Sequence, residues 1–304
     1  MAADTTLTLT GEMMTFLKSD FLERSQALNI HREGTKKVKH TQNSGKTVTW
    51  NRYSPLAAAT TALTEATNPS EVQATAAQVS ATVKEYGNFT KVSSLLYGTS
   101  IDKQAQEKEE LLAQNANETL DTLARDELFA GATTQLAAGR AGLANITAAD
   151  VLNVTEVRKA VRTLKKNNAP TYEDGFYLGK IGPDTSFDLM GDATWVNVKT
   201  YSDKKDLYKG EAGSIHRVRF LECSSNQKTE TSTVTVYSNF IHGKEALGEV
   251  DLAGGNLELI VKNSGKQDTS NPLNMFLTIG WKATDAVKTL NSTWIVNIKT
   301  GATA

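Results

Sequence analysis

The chain has 304 residues, enough for a sizeable core and, by length alone, about two domains; 39% of them are hydrophobic and 22% charged, which is too apolar for a disordered chain. The 33 Lys and Arg balance 34 Asp and Glu, and a formal net charge of −1 argues against tight binding of nucleic acid by the chain as a whole. One cysteine, Cys223, excludes a disulfide framework and a thiolate zinc site within one chain, while the absence of a secretory signal or a long apolar run predicts a soluble protein of a reducing compartment.

Residues 1–11 are Thr-rich and read as a loose arm. From Met13 to Leu28 the apolar residues Met13, Phe16, Leu17, Phe21, Leu22 and Leu28 fall on one face of a short amphipathic helix. The basic stretch from His31 to His40 reads as a loop, so the helix stripe looks to another subunit for its cover. Residues 46–53 alternate Val48 and Trp50 with polar residues, the pattern of a half-buried strand ended by Pro55. Leu56 to Gln78 is rich in Ala, Thr and Ser and cannot build a core. Residues 79–92 read as the return strand. A two-stranded ribbon is marginal in water, so this excursion is expected to lie on a neighbouring copy of the protein. Trp50 and Tyr53 are its candidate anchors, because aromatic residues dominate contact energetics. Phe16, Phe21, Tyr86 and Phe89 are further candidate contacts between subunits.

Ile101 to Ala130 carries Ile101, Ala105, Leu112, Ala116, Leu120, Leu123, Ala124 and Leu128 on one helical face. Thr99 or Ser100 can cap its start, and Gly131 marks its stop. Such a helix is about 45 Å long, against a radius of gyration of about 19 Å for a globule of this length, so it serves as a spine. The acidic run Glu107 to Glu110 is expected on its outer face, as a solvated face or, less commonly, in salt bridges between subunits. A second helix, Thr155 to Lys166, buries Val154, Val157, Val161 and Leu164 and is ended by Asn167-Asn168-Ala169-Pro170. Its outer face holds Arg158, Lys159, Arg162, Lys165 and Lys166, read as a solubilising face or as a weak contact with DNA or an acidic partner. No aromatic residue interleaves with them, so base stacking is not indicated. Strands are expected at 176–181, 216–222, 233–240, 257–262 and 294–299. Helices first and strands later, with no βαβ alternation and no repeat, make an α+β pattern.

The sequence carries no recognisable catalytic constellation. Ser44-Gly45-Lys46-Thr47 resembles the end of a phosphate-binding loop, but the first glycine is replaced by His40 and a strand follows, so a glycine turn is the reading. The histidines at 31, 40, 216 and 242 show no metal-ligand spacing and are expected to be surface or structural. Cys223 reads as a buried inert thiol. Asp188 and Asp192 are expected to cap a helix.

Several segments, in order, resemble the major capsid proteins of tailed double-stranded DNA bacteriophages. Gly45-Lys46-Thr47-Val48 leads into Arg52-Tyr53-Ser54-Pro55-Leu56, and Tyr86-Gly87-Asn88-Phe89 follows in the return strand. Leu120-Asp121-Thr122-Leu123-Ala124-Arg125-Asp126 lies on the spine. Arg158 to Leu164, Pro183-Asp184, Gly210-Glu211-Ala212-Gly213, Gly254 to Lys262, Gly280-Trp281-Lys282-Ala283 and Trp294-Ile295-Val296 complete the series. No single motif is specific, but the ordered set covers nearly all of the chain. The resemblance implies the fold shared by tailed-phage and herpesvirus capsids: an N-terminal arm (1–40), an extended β-hairpin loop (41–95), a peripheral domain with the spine helix (96–149), a mainly axial domain (150–254) and a return to the peripheral domain (255–304). It implies a structural subunit of an icosahedral virion shell, assembled in the bacterial cytoplasm, and not an enzyme, with no cofactor and no metal. The implied partners are the protein itself in pentamers and hexamers, a separate scaffolding protein, a portal and packaged double-stranded DNA touched weakly, with no membrane. With no acidic helical segment ahead of the arm, no long N-terminal peptide is expected to be removed. A tube or adhesin subunit is the rival reading, disfavoured by the central helix and the lack of repeats.

Overall fold

The computed structural model describes residues 30–41, 43–54, 56–63, 65, 67–99, 104–195, 211–230, 234–252, 257–262, 272–273 and 275–303. The arm helix expected at Met13–Leu28, the capping Ser100 and the contacts Phe16 and Phe21 lie outside them. In chain order, a 3-10 turn at Ile30–Arg32 leads to β1 (Lys36–His40), β2 (Thr47–Tyr53), β3 (Ala76–Thr82), β4 (Lys84–Ser93), α1 (Ser94–Thr99) and α2 (Gln104–Gly131). Then come β5 (Thr133–Leu136), α3 (Val154–Lys166), β6 (Tyr177–Ile181), α4 (Pro183–Gly191), β7 (Glu211–Ile215), β8 (Val218–Glu222) and β9 (Lys228–Glu230). The last elements are β10 (Thr235–His242), β11 (Leu247–Leu252), β12 (Glu258–Lys262), β13 (Phe276–Asp285), β14 (Val287–Thr289) and β15 (Ile295–Thr300).

The spine helix α2 packs on a three-stranded sheet of order β12-β13-β4. Leu112, Ala113, Ala116 and Leu120 meet Val92, Leu259, Leu277, Ile279, Trp281 and Ala283 there. Small residues at 113 and 116 let the helix approach the sheet closely, and Leu277, Ile279, Trp281 and Ala283 alternate onto one face because strand side chains have a period of two. Toward its C-terminus α2 carries Leu128, which joins Phe240, Ala246, Leu247 and Ile295 in a second cluster. The helix stops where its last residue, Gly131, runs against Thr289: a Cβ at Gly131 would sit 2.1 Å from the Thr289 hydroxyl. Glu109, expected on the solvated face, is buried, whereas Glu107 and Glu110 are exposed.

The largest sheet runs β5-β15-β10-β6-β8-β7, with β9 on β10. Helix α3 lays Val157, Ala160, Val161 and Leu164 on it, against Tyr177, Ile181, Val218, Phe220, Ile241, Val296 and Ile298. Each fully buried aliphatic side chain contributes about 1.5–3 kcal/mol relative to exposure. The Asn153 side chain caps α3 by accepting from the Glu156 amide at 3.0 Å, and Asp192 accepts from the Val154 amide at 3.1 Å. Capping is thus the role of Asp192, but not of Asp188, whose carboxylate takes the Thr303 backbone N–H at 3.1 Å and the Thr303 hydroxyl. Asn168, with φ +51°, turns the chain out of α3 ahead of Pro170.

Three expectations need correction. The stretch from His31 to His40 is not a loop: it holds the 3-10 turn and β1, which runs parallel to β11 from Lys36↔Gly248 to His40↔Leu252. The return strand at 79–92 is two strands with different partners. β3 pairs β2 from Thr47↔Thr82 to Tyr53↔Ala76, whereas β4 leaves the hairpin and pairs β13 over ten residues. The strand expected from His216 starts at Val218, because His216 and Arg217 form a turn. The glycine turn ahead of β2 is present, with Gly45 at φ +90°. Among the described residues no helix is long and apolar enough to cross a membrane.

Candidate functional site

Three places carry chemistry or exposed surface that the fold itself does not use up. The first is the β2–β3 hairpin. Its root is anchored in this chain: Val48 and Ala81 pack with Val250 and Ala286, and Trp50 and Val83 close over them. Gly248 makes room for the indole, since a Cβ there would come within 3.1 Å of the Trp50 ring. Trp50 is therefore half-buried in its own subunit, at the root of the hairpin. Trp50→Ala is expected to cost about 2 kcal/mol of stability, the share of a half-buried aromatic. An unchanged urea midpoint would show that the indole does not hold the hairpin root.

Beyond Trp50 the picture reverses. Every described residue from Asn51 to Gln78 is exposed. These include Tyr53 at 69%, Leu63 at 74% and Val72 at 62%. Phe89, on β4, is 61% exposed, with the Lys91 ammonium 5.9 Å from its ring centre. Tyr86 differs: it packs partly on the α2 sheet cluster, and burial, with Asp285 beside it, pushes its hydroxyl pKa up. Of the candidate contacts, Tyr53 and Phe89 are largely exposed in the isolated chain.

The second place is basic. Arg158, Arg162 and Lys165, spaced i, i+4, i+7, share one stripe of α3. With Val161 and the His216–Arg217 turn they line a groove of about 460 Å³. Lys159 points elsewhere, to the buried Glu156 at 2.7 Å. Lys166 is exposed at the helix end, outside the groove. Three of the five basic residues read from the helix thus converge, and two that sequence reasoning missed join them. The positive φ values of His216 (+49°) and Arg217 (+65°) belong to a tight hairpin turn between β7 and β8. That turn type favours Asn and Gly, so His-Arg gave no turn signal.

The third place is a buried junction beneath the 3-10 turn at residues 30–32. One carboxylate, Asp121 of α2, accepts from the His31 backbone amide at 2.7 Å and from the Ser225 hydroxyl at 3.1 Å. Its Oδ2 lies 2.6 Å from His31 Nδ1. Lys180, fully buried on β6, donates to the His31 carbonyl at 2.7 Å. Next to it Arg32 bridges Glu249 at 2.7 Å and Asp285. Burial alone would lower the His31 imidazole, but hydrogen bonds and charge from Asp121 and Cys223 outweigh it and raise its pKa. Burial alone would raise Asp121, and its bonds and charge contact with His31 lower it instead. Burial brings Lys180 down to about 7, against the pull of nearby acidic groups.

Cys223 belongs to the same junction and is buried, as expected, yet it is not chemically neutral. Burial opposes ionisation, but His31, 3.7 Å away, and Ser225, 3.1 Å away, lower its pKa. The ligand atoms of His31, Asp121 and Cys223 lie within 4.8 Å of one another. They do not make a metal centre. Two ligands of one tetrahedral zinc stand about 3.4 Å apart at ordinary bond lengths, while His31 and Asp121 close to 2.6 Å in a hydrogen bond. The Lys180 ammonium beside them also opposes a second cation. His242 is likewise structural: it is fully buried, its pKa is lowered well below the ordinary value by burial and by Lys180, and its Nδ1 is 3.1 Å from the Tyr172 hydroxyl.

No protein-family model and no curated protein sequence matches the chain. Solved structures do. The capsid of Ralstonia phage GP4 superposes with a TM-score of 0.66 at 13% identity, covering 89% of this chain and 90% of that one. The capsid of cyanophage P-SCSP1u gives 0.64 at 13% identity over 89% and 88%. The asymmetric unit of the cyanophage Pam1 capsid gives 0.60 at 17% over 86% and 87%. At such identities the likeness is one of fold, and the chain has the fold of tailed-phage capsid proteins.

Proposed function

We propose that the chain is a major capsid protein, a structural subunit that assembles with copies of itself into the icosahedral shell around a phage genome. The observation that carries this reading is the hairpin: the chain holds its root firmly and leaves every described residue from Asn51 to Gln78 without cover. Exposed apolar residues on a projecting ribbon are a cost to a lone molecule and a gain to an assembly. Contacts in which one copy gives a projection to the next are heterologous, and they close into rings when the rotation permits. The shared fold supports the same reading.

On this reading the arm (1–40) ends in β1, which pairs β11, the extended loop (41–95) ends in β4, which pairs β13, 96–149 and 255–304 are the peripheral domain and 150–254 is mainly the axial domain. Pentamers and hexamers, a separate scaffolding protein, a portal and weakly touched packaged DNA are its partners. It sits in the virion capsid and assembles in the bacterial cytoplasm. The role is structural, with no reaction to catalyse.

The test removes the ribbon and keeps its root. Residues 54–75 are replaced by Asn-Gly, which closes β2 onto β3 as a two-residue hairpin. The shortened chain is expected to unfold at the same urea concentration as the parent, because every described residue it loses is exposed, and electron microscopy is expected to show shells from the parent alone. Normal shells from the shortened chain would overturn the proposal. Fibres or tubes from the parent would favour a tube or adhesin subunit.

A further inference from the structure

The groove between α3 and the β7–β8 turn is more than a basic face. Arg158, Arg162, Lys165 and Arg217 bring four cationic side chains to one concavity, with His216 as a fifth nitrogen base. Like charges gathered in this way repel one another. Among the described residues no carboxylate pairs with any of the four, while Lys159 on the same helix does find its acid. Val161, 5% exposed, is the single apolar residue of the lining.

The backbone adds a second, independent observation. His216 and Arg217 both sit at positive φ, where side-chain-bearing residues are strained and Asn-Gly would be at ease. A costly pair held at the rim of a charged groove is backbone strain of the kind that binding sites carry.

We infer that this groove is a binding site for a small soluble anion that carries several phosphates close together, of the tripolyphosphate class. Three guanidinium groups can each grip phosphate oxygens with a fork of two donors. Several linked phosphates match several converging cations, which one phosphate cannot do. Double-stranded DNA is too wide to enter a groove of this volume and would meet only its rim. The inference goes beyond shell building and stands without it.

His216 reports on the site. Its pKa is lowered by burial first, then by Arg158 and Lys165 facing it from the helix, with Arg217 next to it in the turn. A bound polyanion reverses the sign of that field and raises the imidazole pKa. By linkage, protonation of the ring favours binding, and a bound polyanion draws a proton onto His216.

The experiment titrates sodium tripolyphosphate, orthophosphate and a short DNA duplex into the full chain by calorimetry, with the His216 ring followed by NMR. One saturable site per chain is expected, with tripolyphosphate binding roughly tenfold or more tightly than orthophosphate and the His216 pKa moving up. Arg162→Ala is expected to weaken binding roughly tenfold. The double variant His216→Asn, Arg217→Gly is expected to melt at a higher temperature than the parent and to lose binding by a similar factor. A merely structural role for the two turn residues predicts a lower melting temperature instead. The proposal is overturned by the absence of saturable binding, by equal affinity for orthophosphate, by binding that survives both variants, or by the duplex taking the same site more tightly.

Discussion

Asp121→Ala is expected to unfold far more easily than the parent, by about 3–5 kcal/mol, the usual consequence of breaking a buried charge pair from one side. The reason lies in how much one carboxylate does. It accepts from the His31 amide and the Ser225 hydroxyl and pairs with the His31 imidazole, in a place where His31 is fully buried. Truncation strands these donors away from water, and it removes Asp121, the acidic group that acts most strongly on the buried Lys180 ammonium. Asp121→Asn, which keeps an acceptor but not the charge, is expected to fall about midway. The defect is local as well as global: Arg32 lies in the turn that Asp121 holds, so cleavage by trypsin after Arg32 is expected to speed up in the variant.

The pH dependence has a definite sign. The pKa of Asp121 is lowered on folding, so its contribution is present above the ordinary carboxylate value of 3.8 and fades as pH drops through the folded value. The pKa of His31 is raised, so its contribution is complete below the ordinary 6.5 and is lost as pH rises through the folded value. The stability gap between parent and Asp121→Ala is therefore expected to be widest between about pH 4 and about pH 6.5. A gap of constant size across that range and beyond would mean that hydrogen-bond geometry, and not charge, dominates at the junction.

Much of the architecture was readable before any coordinates, and the parts that were not share a cause. Helices α2 and α3 announce themselves because their apolar residues recur at helical spacing over many turns. Strand β2 does so through Val48 and Trp50. Strand β1 does not: Lys36-Lys37-Val38-Lys39-His40 has one apolar residue, and its pairing with β11 joins Val38 to Val250, a partner no local pattern can indicate. Strand β13 did carry a signal, the alternation of Leu277, Ile279, Trp281 and Ala283 with Thr278, Lys282 and Thr284, but Gly280 in its middle interrupts it. The sites follow the same rule. The exposed ribbon was legible because a stretch poor in large apolar residues cannot cover itself. The junction was not, because His31 and Asp121 are 90 positions apart and only packing brings them together. The groove was half legible, through the basic stripe of α3. Its other half sits in a turn whose residues are the wrong ones for a turn, which is a departure from local preference of the kind that functional sites show.

Lys180→Met is expected to change the shape of the stability curve above neutral pH. Lys180 is fully buried, and its ammonium titrates at about 7 in the folded chain against the ordinary 10.5. Between those values the unfolded chain holds a proton that the folded chain lacks, so the parent gains stability as pH rises, by about 1.4 kcal/mol per pH unit from this group. Methionine has a similar volume and no charge. It gives up the bond to the His31 carbonyl, a loss of about 1–3 kcal/mol that does not depend on pH. Other groups titrate in the same range: the Cys223 thiol is lowered, and Lys299 is brought by burial to about 8. They remain in both proteins, so the difference between the two curves reports Lys180 together with its charge coupling to neighbours such as Cys223. Urea unfolding from about pH 7 to about pH 9.5 is expected to show the parent gaining on the variant by about 3 kcal/mol in total. Parallel curves would mean that Lys180 keeps its proton throughout and that the acidic groups around it compensate its burial in full.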